Sequence, residues 1–309
     1  MEINLNKLKS EKTIQELLEF GIINIDKPAG MTSFDVSDYV RKTLKLRKTS
    51  HFGTLDPMVT GVLPIALNRA CKLTGFFLGE DKEYIGVMRI HEDVSVEKIE
   101  EAIKKGFIGK IIQMPPVKSR VKRQEREREI KKFEILKKED RNISFIVECQ
   151  GGTYIRKLVH DLGEEMGIGA HMIALRRIRA GIFKEKESVS QQEFERAVEE
   201  YERQKAEPLA SSSENSQTKG DESELRKMII PAEIVSEVYG IVKIKKEHLG
   251  KILHGSPLNN NFLEGKEKFE KGKIVSVFFE ERFIGMYKVV NEGERFAKPE
   301  FILQPMNQN

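Results

Sequence analysis

Cysteine is scarce in this chain: Cys71 and Cys149 are the two present among 309 residues. They form no CxxC pair, and no histidine spacing suits zinc. Neither a disulfide framework nor a structural metal site is expected, and a reducing cytosol is the natural compartment. Long apolar runs are missing as well. No stretch approaches the ~18 residues that a membrane span needs. Met1 to Lys12 alternates polar and charged residues without the apolar core of a signal peptide. Nor does one sign of charge dominate: 53 Lys and Arg stand against 49 Asp and Glu, a net +4. Bulk charge therefore does not announce a nucleic-acid binder, and local clustering must carry any such argument. What remains is a chain 39% hydrophobic and 33% charged, long enough for two domains at roughly 150 residues each. The expectation is a soluble cytoplasmic protein with no membrane contact.

The pattern along the chain is mixed. Gly21 to Ile25 reads as a short buried strand, followed by the turn signal Lys27-Pro28-Ala29-Gly30. Ser33 then caps a helix with Val36, Tyr39, Val40 and Leu44 on one face. Tyr84 to His91 and Ile143 to Cys149 read as strands, and Ser95 caps a short helix with Val96, Ile99 and Ile103 inward. Ile155, Leu158, Val159 and Leu162 mark the clearest helix, closed by Gly167 as its C-terminal cap. Ser190 with Glu193 forms a capping box for another. Composition then changes. Ala206 to Glu224 is polar and almost free of apolar residues, so it cannot bury enough surface to offset its ordering entropy and reads as a linker. Beyond it, strands at Ile241 to Ile244, Lys273 to Phe279 and Arg282 to Val290, with a helix at His248 to His254, outline a mostly-β domain of about 80 residues.

The segment His51-Phe52-Gly53-Thr54-Leu55-Asp56-Pro57-Met58-Val59-Thr60-Gly61 is dense in turn-formers. Such a loop can hold one carboxylate rigidly on a concave surface, although Asp before Pro also simply starts turns. Its neighbours decide between the two readings. With Lys27 to Ser33, Lys82-Glu83-Tyr84, Gln113 to Pro116, Gly152-Thr153-Tyr154-Ile155-Arg156 and Ala170-His171-Met172 through Leu175-Arg176-Arg177, it resembles the TruB and dyskerin family of pseudouridine synthases. The motifs fall in the family's order across residues 20 to 190, and motif context supports motif.

That resemblance implies an α+β fold: a mixed-sheet catalytic domain over residues 21–205, a polar linker 206–226 and a small, mostly-β PUA domain over 227–309. An N-terminal extension, residues 1–20, would pack on the PUA domain. It implies isomerisation of uridine to pseudouridine in RNA, with Asp56 as nucleophile adding to the uracil ring or the ribose. Covalent capture holds the detached base while it rotates, so no cofactor is implied. Arg156 would pair with Asp56, Tyr84 would stack on the base and assist loss of its C5 proton, Leu175 would wall the pocket and Lys27 would brace the loop. The bland alternatives are a surface arginine, core packing for Tyr84 and Leu175, and a solvated lysine. The target must leave its stack, at a cost of a few kcal/mol that is least for an unpaired uridine.

The basic stretch Lys118, Arg120, Lys122 and Arg123 lacks acids and directly follows Pro115-Pro116, which favours phosphate contact. Farther on, Glu125, Glu127 and Glu129 interrupt the run, and charge runs are usually solvated faces. Arg176 and Arg177 are expected to add basic charge for RNA beside Leu175. Two features resemble the archaeal, guide-directed branch: the short connection His91 to Ser95 after the tyrosine strand, and the basic segment Val117 to Arg123. A guide RNA and small box H/ACA ribonucleoprotein partners are then implied, with ribosomal RNA as substrate and transfer RNA as a second candidate. Phe52 stands where the family has a small residue, and Gly151 replaces a usual serine. The competing readings are a standalone transfer RNA synthase and a non-catalytic RNA-binding or ribosome-assembly protein. A phospho-aspartate hydrolase lacks the second acid two residues after Asp56.

Overall fold

The computed structural model describes residues 2–115, 122–206, 223–265 and 268–304. The chain divides into two compact units. One comprises residues 23–67 and 73–228; the other comprises residues 1–22, 68–72 and 229–309. The N-terminal residues thus belong with the C-terminal ones, and a short central segment, 68–72, joins them.

Two helices open the chain, α1 (Leu5–Glu11) and α2 (Ile14–Glu19). Thr13 and Glu16 start the second with a reciprocal capping box, which satisfies two orphan amide donors at once.

The larger unit carries the sequence motifs. Its elements are β1 (Gly21–Lys27), α3 (Ser33–Thr43), β2 (Thr49–His51), β3 (Thr60–Leu67), α4 (Thr74–Leu78), β4 (Lys82–Ile90), α5 (Val96–Gly106), β5 (Gly109–Gln113), β6 (Arg126–Glu139), β7 (Asn142–Cys149), α6 (Ile155–Glu165), β8 (Ala170–Ala180), β9 (Phe183–Lys184), α7 (Gln191–Ala206) and α8 (Ser223–Met228). The strands lie in the order β1-β3-β8-β4-β7-β6-β5. β3 runs parallel to β8, whereas β4 pairs antiparallel with both β7 and β8. The sheet is mixed, as expected. Strand alternation decides what each face does. In β7, Ile143, Phe145, Val147 and Cys149 are buried, with half-exposed residues between them. Facing them are Leu158, Val159 and Leu162 of α6 and Ile99 and Ile103 of α5, in one continuous apolar cluster that also takes in Leu55, Tyr84 and Leu175. Burying a side chain of this size contributes about 1.5–3 kcal/mol.

One cap differs from expectation. Thr32, not Ser33, caps α3, accepting from the Asp35 amide while Asp35 reaches back to the Thr32 amide. Ser33 is buried and its hydroxyl turns elsewhere. The expected box at Ser190 and Glu193 is present, and Gly167 takes the left-handed conformation (φ 70°) that ends α6.

The smaller unit is a five-stranded sheet. After β10 (Ile229–Pro231) come β11 (Gly240–Lys243), the short helix α9 (Leu249–Leu253), β12 (Leu258–Asn259), β13 (Ile274–Phe279), β14 (Arg282–Glu292) and β15 (Arg295–Ile302). The sheet order is β11-β13-β14-β15-β12, with β11 parallel to β13 and the other pairs antiparallel. Val242, Val275, Val277, Ile284, Tyr287 and Val289 fill its core. The N-terminal residues are tied into this unit: Phe20 stacks on Phe283 at 5.4 Å, and Lys12 pairs with the buried Glu233 at 2.5 Å. The sequence reading found β11, β13 and β14 but not β12 or β15. Most of the polar linker, residues 207–222, lies outside the described residues.

Candidate active site

The Asp56 loop joins β2 to β3, and buried donors from distant parts of the larger unit fix its backbone. Lys27, at the end of β1, is fully buried. Its ammonium donates to the carbonyls of Pro28 (2.8 Å), Pro57 (2.9 Å) and Val59 (2.8 Å). An ammonium has three protons to donate, and here each has a carbonyl. Burial pushes the Lys27 pKa down, and the nearby Asp56 charge works against that shift. Ser33 clamps the residue before the acid: its hydroxyl accepts from the Leu55 amide (2.7 Å) and donates to the Leu55 carbonyl (3.1 Å). The Gly30 amide adds a bond to the Pro57 carbonyl at 2.9 Å.

Arg177 holds the two ends of the loop. It is 1% exposed, and its guanidinium donates to the carbonyls of Val62 (2.7 Å) and Gly53 (3.1 Å). Its backbone pairs with Gly61 in the parallel β3–β8 ladder. Gly61 has φ 99°, and a Cβ there would overlap the Arg177 carbonyl, so only glycine fits.

This corrects the expectation that Arg177 binds RNA. Arg177 is an internal strut with no route to a phosphate. Arg176 is engaged by two carboxylates: its guanidinium grips Asp26 through two bonds (2.9 and 2.8 Å) and meets Glu185 at 2.5 Å. Both lie in one strand, and long-range partners neutralise or bury what the sequence displays as free charge.

Between these clamps the Asp56 carboxylate stays in the open. Arg156, in the first turn of α6, meets it at 3.2 Å, and the two side chains are 56% and 68% exposed. An exposed pair of this kind is worth only about 0–1 kcal/mol. It aims the carboxylate without locking it away from an incoming substrate. Tyr84 lies beneath, 8% exposed, in register with Arg177 across the β4–β8 ladder. Burial raises its phenol pKa, and the adjacent Arg177 guanidinium opposes the rise. Leu175 is buried in the same cluster, opposite Gly86 of β4.

Three further supports stand in segments that the sequence reading named without giving these side chains a structural role. Gln113 is 1% exposed and clasps Tyr154 from both sides, accepting from its amide (3.0 Å) and donating to its carbonyl (3.2 Å). Tyr154 sits at the start of α6, so this clasp sets the direction of the helix that presents Arg156. Lys82 is also buried, donating to the Phe77 and Leu78 carbonyls (3.3 and 2.9 Å) at the end of α4, and burial pushes its pKa down to about 8. Phe52 fills a layer under the loop, stacked on Phe77 at 4.6 Å and set against Phe183 at 5.9 Å. A larger side chain at this position is accommodated because those two rings receive it.

Gly151 has a steric reason. A Cβ there would stand 2.5 Å from the Leu78 carbonyl oxygen and 2.9 Å from that of Glu80. Replacing Gly151 by the family's usual serine is expected to lower stability by about 1–3 kcal/mol, the usual cost of overpacking. Chemical denaturation of the two full-length proteins checks this, and an unchanged midpoint would show that the α4 turn yields freely.

Lys118 and Arg120 lie outside the described residues, while Lys122 and Arg123 are exposed. No group of three or more potential metal ligands is found among the described residues, and no helix among them is long and apolar enough to cross a membrane.

Known proteins resemble this chain over most of its length. The N-terminal domain of TruB family pseudouridylate synthases matches residues 41–155, and the tRNA pseudouridylate synthase B C-terminal domain matches residues 156–236. The probable tRNA pseudouridine synthase B of Methanocaldococcus jannaschii is 41% identical over 262 residues, covering 85% of this chain and 72% of the relative. This chain belongs to the TruB family. The corresponding protein of Sulfurisphaera tokodaii is 36% identical over 306 residues, covering 96% and 86% of the two chains. Among solved structures, a chain of a Cbf5–Nop10–Gar1 complex superposes with a TM-score of 0.83 at 32% identity, covering 96% of this chain and 89% of that one. A chain of an H/ACA ribonucleoprotein bound to substrate RNA gives 0.80 at 31%, covering 97% and 90%. As a TruB-family pseudouridine synthase, the chain isomerises uridine to pseudouridine in RNA.

Proposed function

We propose that this TruB-family chain is the catalytic subunit of a guide-directed box H/ACA ribonucleoprotein, with Asp56 as its nucleophile. The observation that carries the catalytic assignment is the Asp56 loop itself. Lys27, Ser33 and Arg177 fix its backbone on every side, yet its carboxylate is left exposed beside Arg156. A structural acid gains nothing from so costly a frame. Preorganisation of this kind brings a reactive atom into place before the substrate arrives.

That geometry suits the following roles. Asp56 attacks the extruded uridine and holds it covalently while the glycosidic bond breaks, the base turns and carbon replaces nitrogen as the point of attachment. Arg156 orients the carboxylate until the substrate displaces it. Tyr84, whose phenol pKa burial raises, is suited to stack on the base more than to remove its C5 proton. Leu175 closes the apolar wall beside it.

Two features support the guided reading over a standalone one. Only His91 to Ser95 separate β4 from α5, which leaves no room for a substrate-gripping insertion after the tyrosine strand. Chains that superpose over nearly the whole length come from Cbf5–Nop10–Gar1 and Nop10–Cbf5 complexes and from an H/ACA ribonucleoprotein bound to substrate RNA. On this reading the smaller unit is a PUA-type RNA-binding domain and small proteins of that assembly are the partners. The names of the sequence relatives favour a second reading, action on transfer RNA without a guide.

Comparing turnover on one target RNA with and without guide RNA and partner proteins separates the two. The guided reading expects product only in the complete assembly. Equal turnover by the protein alone would overturn it and leave the pseudouridine synthase activity standing.

A further inference from the structure

The sequence Arg126-Glu127-Arg128-Glu129 alternates in charge, and in a linear reading the acids cancel the bases. In the fold it is the start of β6, where neighbouring side chains point to opposite faces. The strand therefore sorts the charges. Glu127 and Glu129 share the outer face with Lys110 and the exposed Ile112 of β5, and Lys110 pairs with Glu127 at 2.9 Å. Arg126 and Arg128 share the inner face with the buried Ile130. That face also carries Gln113, in register with Arg126, and Ile111, in register with Arg128.

The inner face packs against α6, the helix that carries Arg156. Gln113 clasps Tyr154 just before Arg156. The guanidinium of Arg128 lies flat against Gly152: a Cβ at that residue would come within 3.1 to 3.5 Å of its Nη2, Nε and Cζ atoms. Gly152, at φ 86°, has no side chain to obstruct it. Other arginines of this sheet are engaged: Arg176 by Asp26 and Glu185, Arg179 by Glu83 and Glu148, and Arg177 by backbone carbonyls. Arg126 and Arg128 differ. Neither has an acidic partner among the described residues, and the Nε of each is buried there without a hydrogen-bond partner. Among the described residues, Arg128 donates from Nη1 to the adjacent Glu127 carbonyl, at 2.7 Å.

We propose that Arg126 and Arg128 hold backbone phosphates of the substrate RNA close to the target uridine. Two half-buried guanidinium groups with unmatched donors, on the face packed against the helix that carries Arg156, suit bidentate donation to phosphate oxygens. The contacts position the strand and carry no sequence information. The inference rests on the RNA substrate of this family and not on the guided reading, so its failure would leave that reading intact.

The test uses the full-length protein and a labelled RNA hairpin with an unpaired uridine in its loop, with affinity measured across a salt series. The Arg126→Gln/Arg128→Gln variant is expected to bind about tenfold more weakly or worse, and its salt slope to fall by about one per arginine. Arg126→Lys/Arg128→Lys restores most of the slope. Glu127→Gln/Glu129→Gln, on the outer face, leaves affinity unchanged although it adds the same net charge that the first variant removes. The proposal is overturned by a glutamine variant that keeps the wild-type slope, whether or not its affinity falls. It is equally overturned if the outer-face variant tightens binding as much as the inner-face one weakens it, since bulk charge would then account for both.

Discussion

Replacing Lys27 by methionine is expected to destabilise the catalytic unit by about 3 kcal/mol and to slow turnover about a hundredfold. Methionine keeps much of the apolar stem but offers no protons to the Pro28, Pro57 and Val59 carbonyls. Each buried acceptor left without a partner costs about 1–3 kcal/mol. Relief from burying an ammonium offsets part of that sum, which is why the net figure is smaller than three full penalties. For a unit of this size the unfolding midpoint should fall by about 6–12 °C. The kinetic effect has a separate origin. With its bond to Lys27 gone, the Pro57 carbonyl keeps only the one from Gly30, and the residue after Asp56 loses its fixed position. Misplacement of a reacting group by about 1 Å can cost a hundredfold in rate. Thermal unfolding and single-turnover kinetics on the same preparation check both halves. A variant that melts like wild type and turns over normally would show that Lys27 is a bystander.

How much of this was readable in the sequence depended on the reach of each interaction. The catalytic loop was legible because its turn-formers and its acid are contiguous, from His51 to Gly61. Helix α6 was legible because its apolar face repeats locally at Ile155, Leu158, Val159 and Leu162. Lys27 was named as a brace, and the structure supplies the three carbonyls that it holds. Arg176 and Arg177 were not legible. Adjacent arginines look alike in a sequence, and what holds each of them lies far along the chain: Asp26, 150 residues from Arg176, and Val62, 115 from Arg177. Ser33 was misread for a related reason. A serine just before an apolar run is a fitting cap, but Thr32 already has its partner in Asp35, which frees Ser33 to clamp Leu55.

The segment after Pro116 shows the limit most clearly. Counted along the chain, Arg126 to Glu129 is nearly neutral, which drew attention to the acid-free stretch before it. Only the strand period turns that neutrality into a basic inner face and an acidic outer one. Likewise β12 and β15 were missed because the one is two residues long and the other carries Pro299 within its run, and proline in a strand pattern argues against a strand.

Asp56→Asn is the substitution with the largest expected effect. The amide matches the carboxylate in size and can still accept a bond from Arg156, and the side chain is more than half exposed. Stability should therefore change by no more than about 0.5 kcal/mol. What disappears is the negative oxygen that attacks the uridine. Loss of a group that acts by covalent catalysis lowers rates on the order of 10⁴-fold or more. The RNA is held mainly by other residues, so its affinity should stay within about tenfold, or 1.4 kcal/mol. The deciding measurement is a single-turnover pseudouridine assay of Asp56→Asn at saturating RNA, in the assembly in which wild type is active. No product above background, with RNA bound at near wild-type affinity, is the expected result. Pseudouridine formed at a rate near that of wild type would contradict the assignment of Asp56 as the nucleophile.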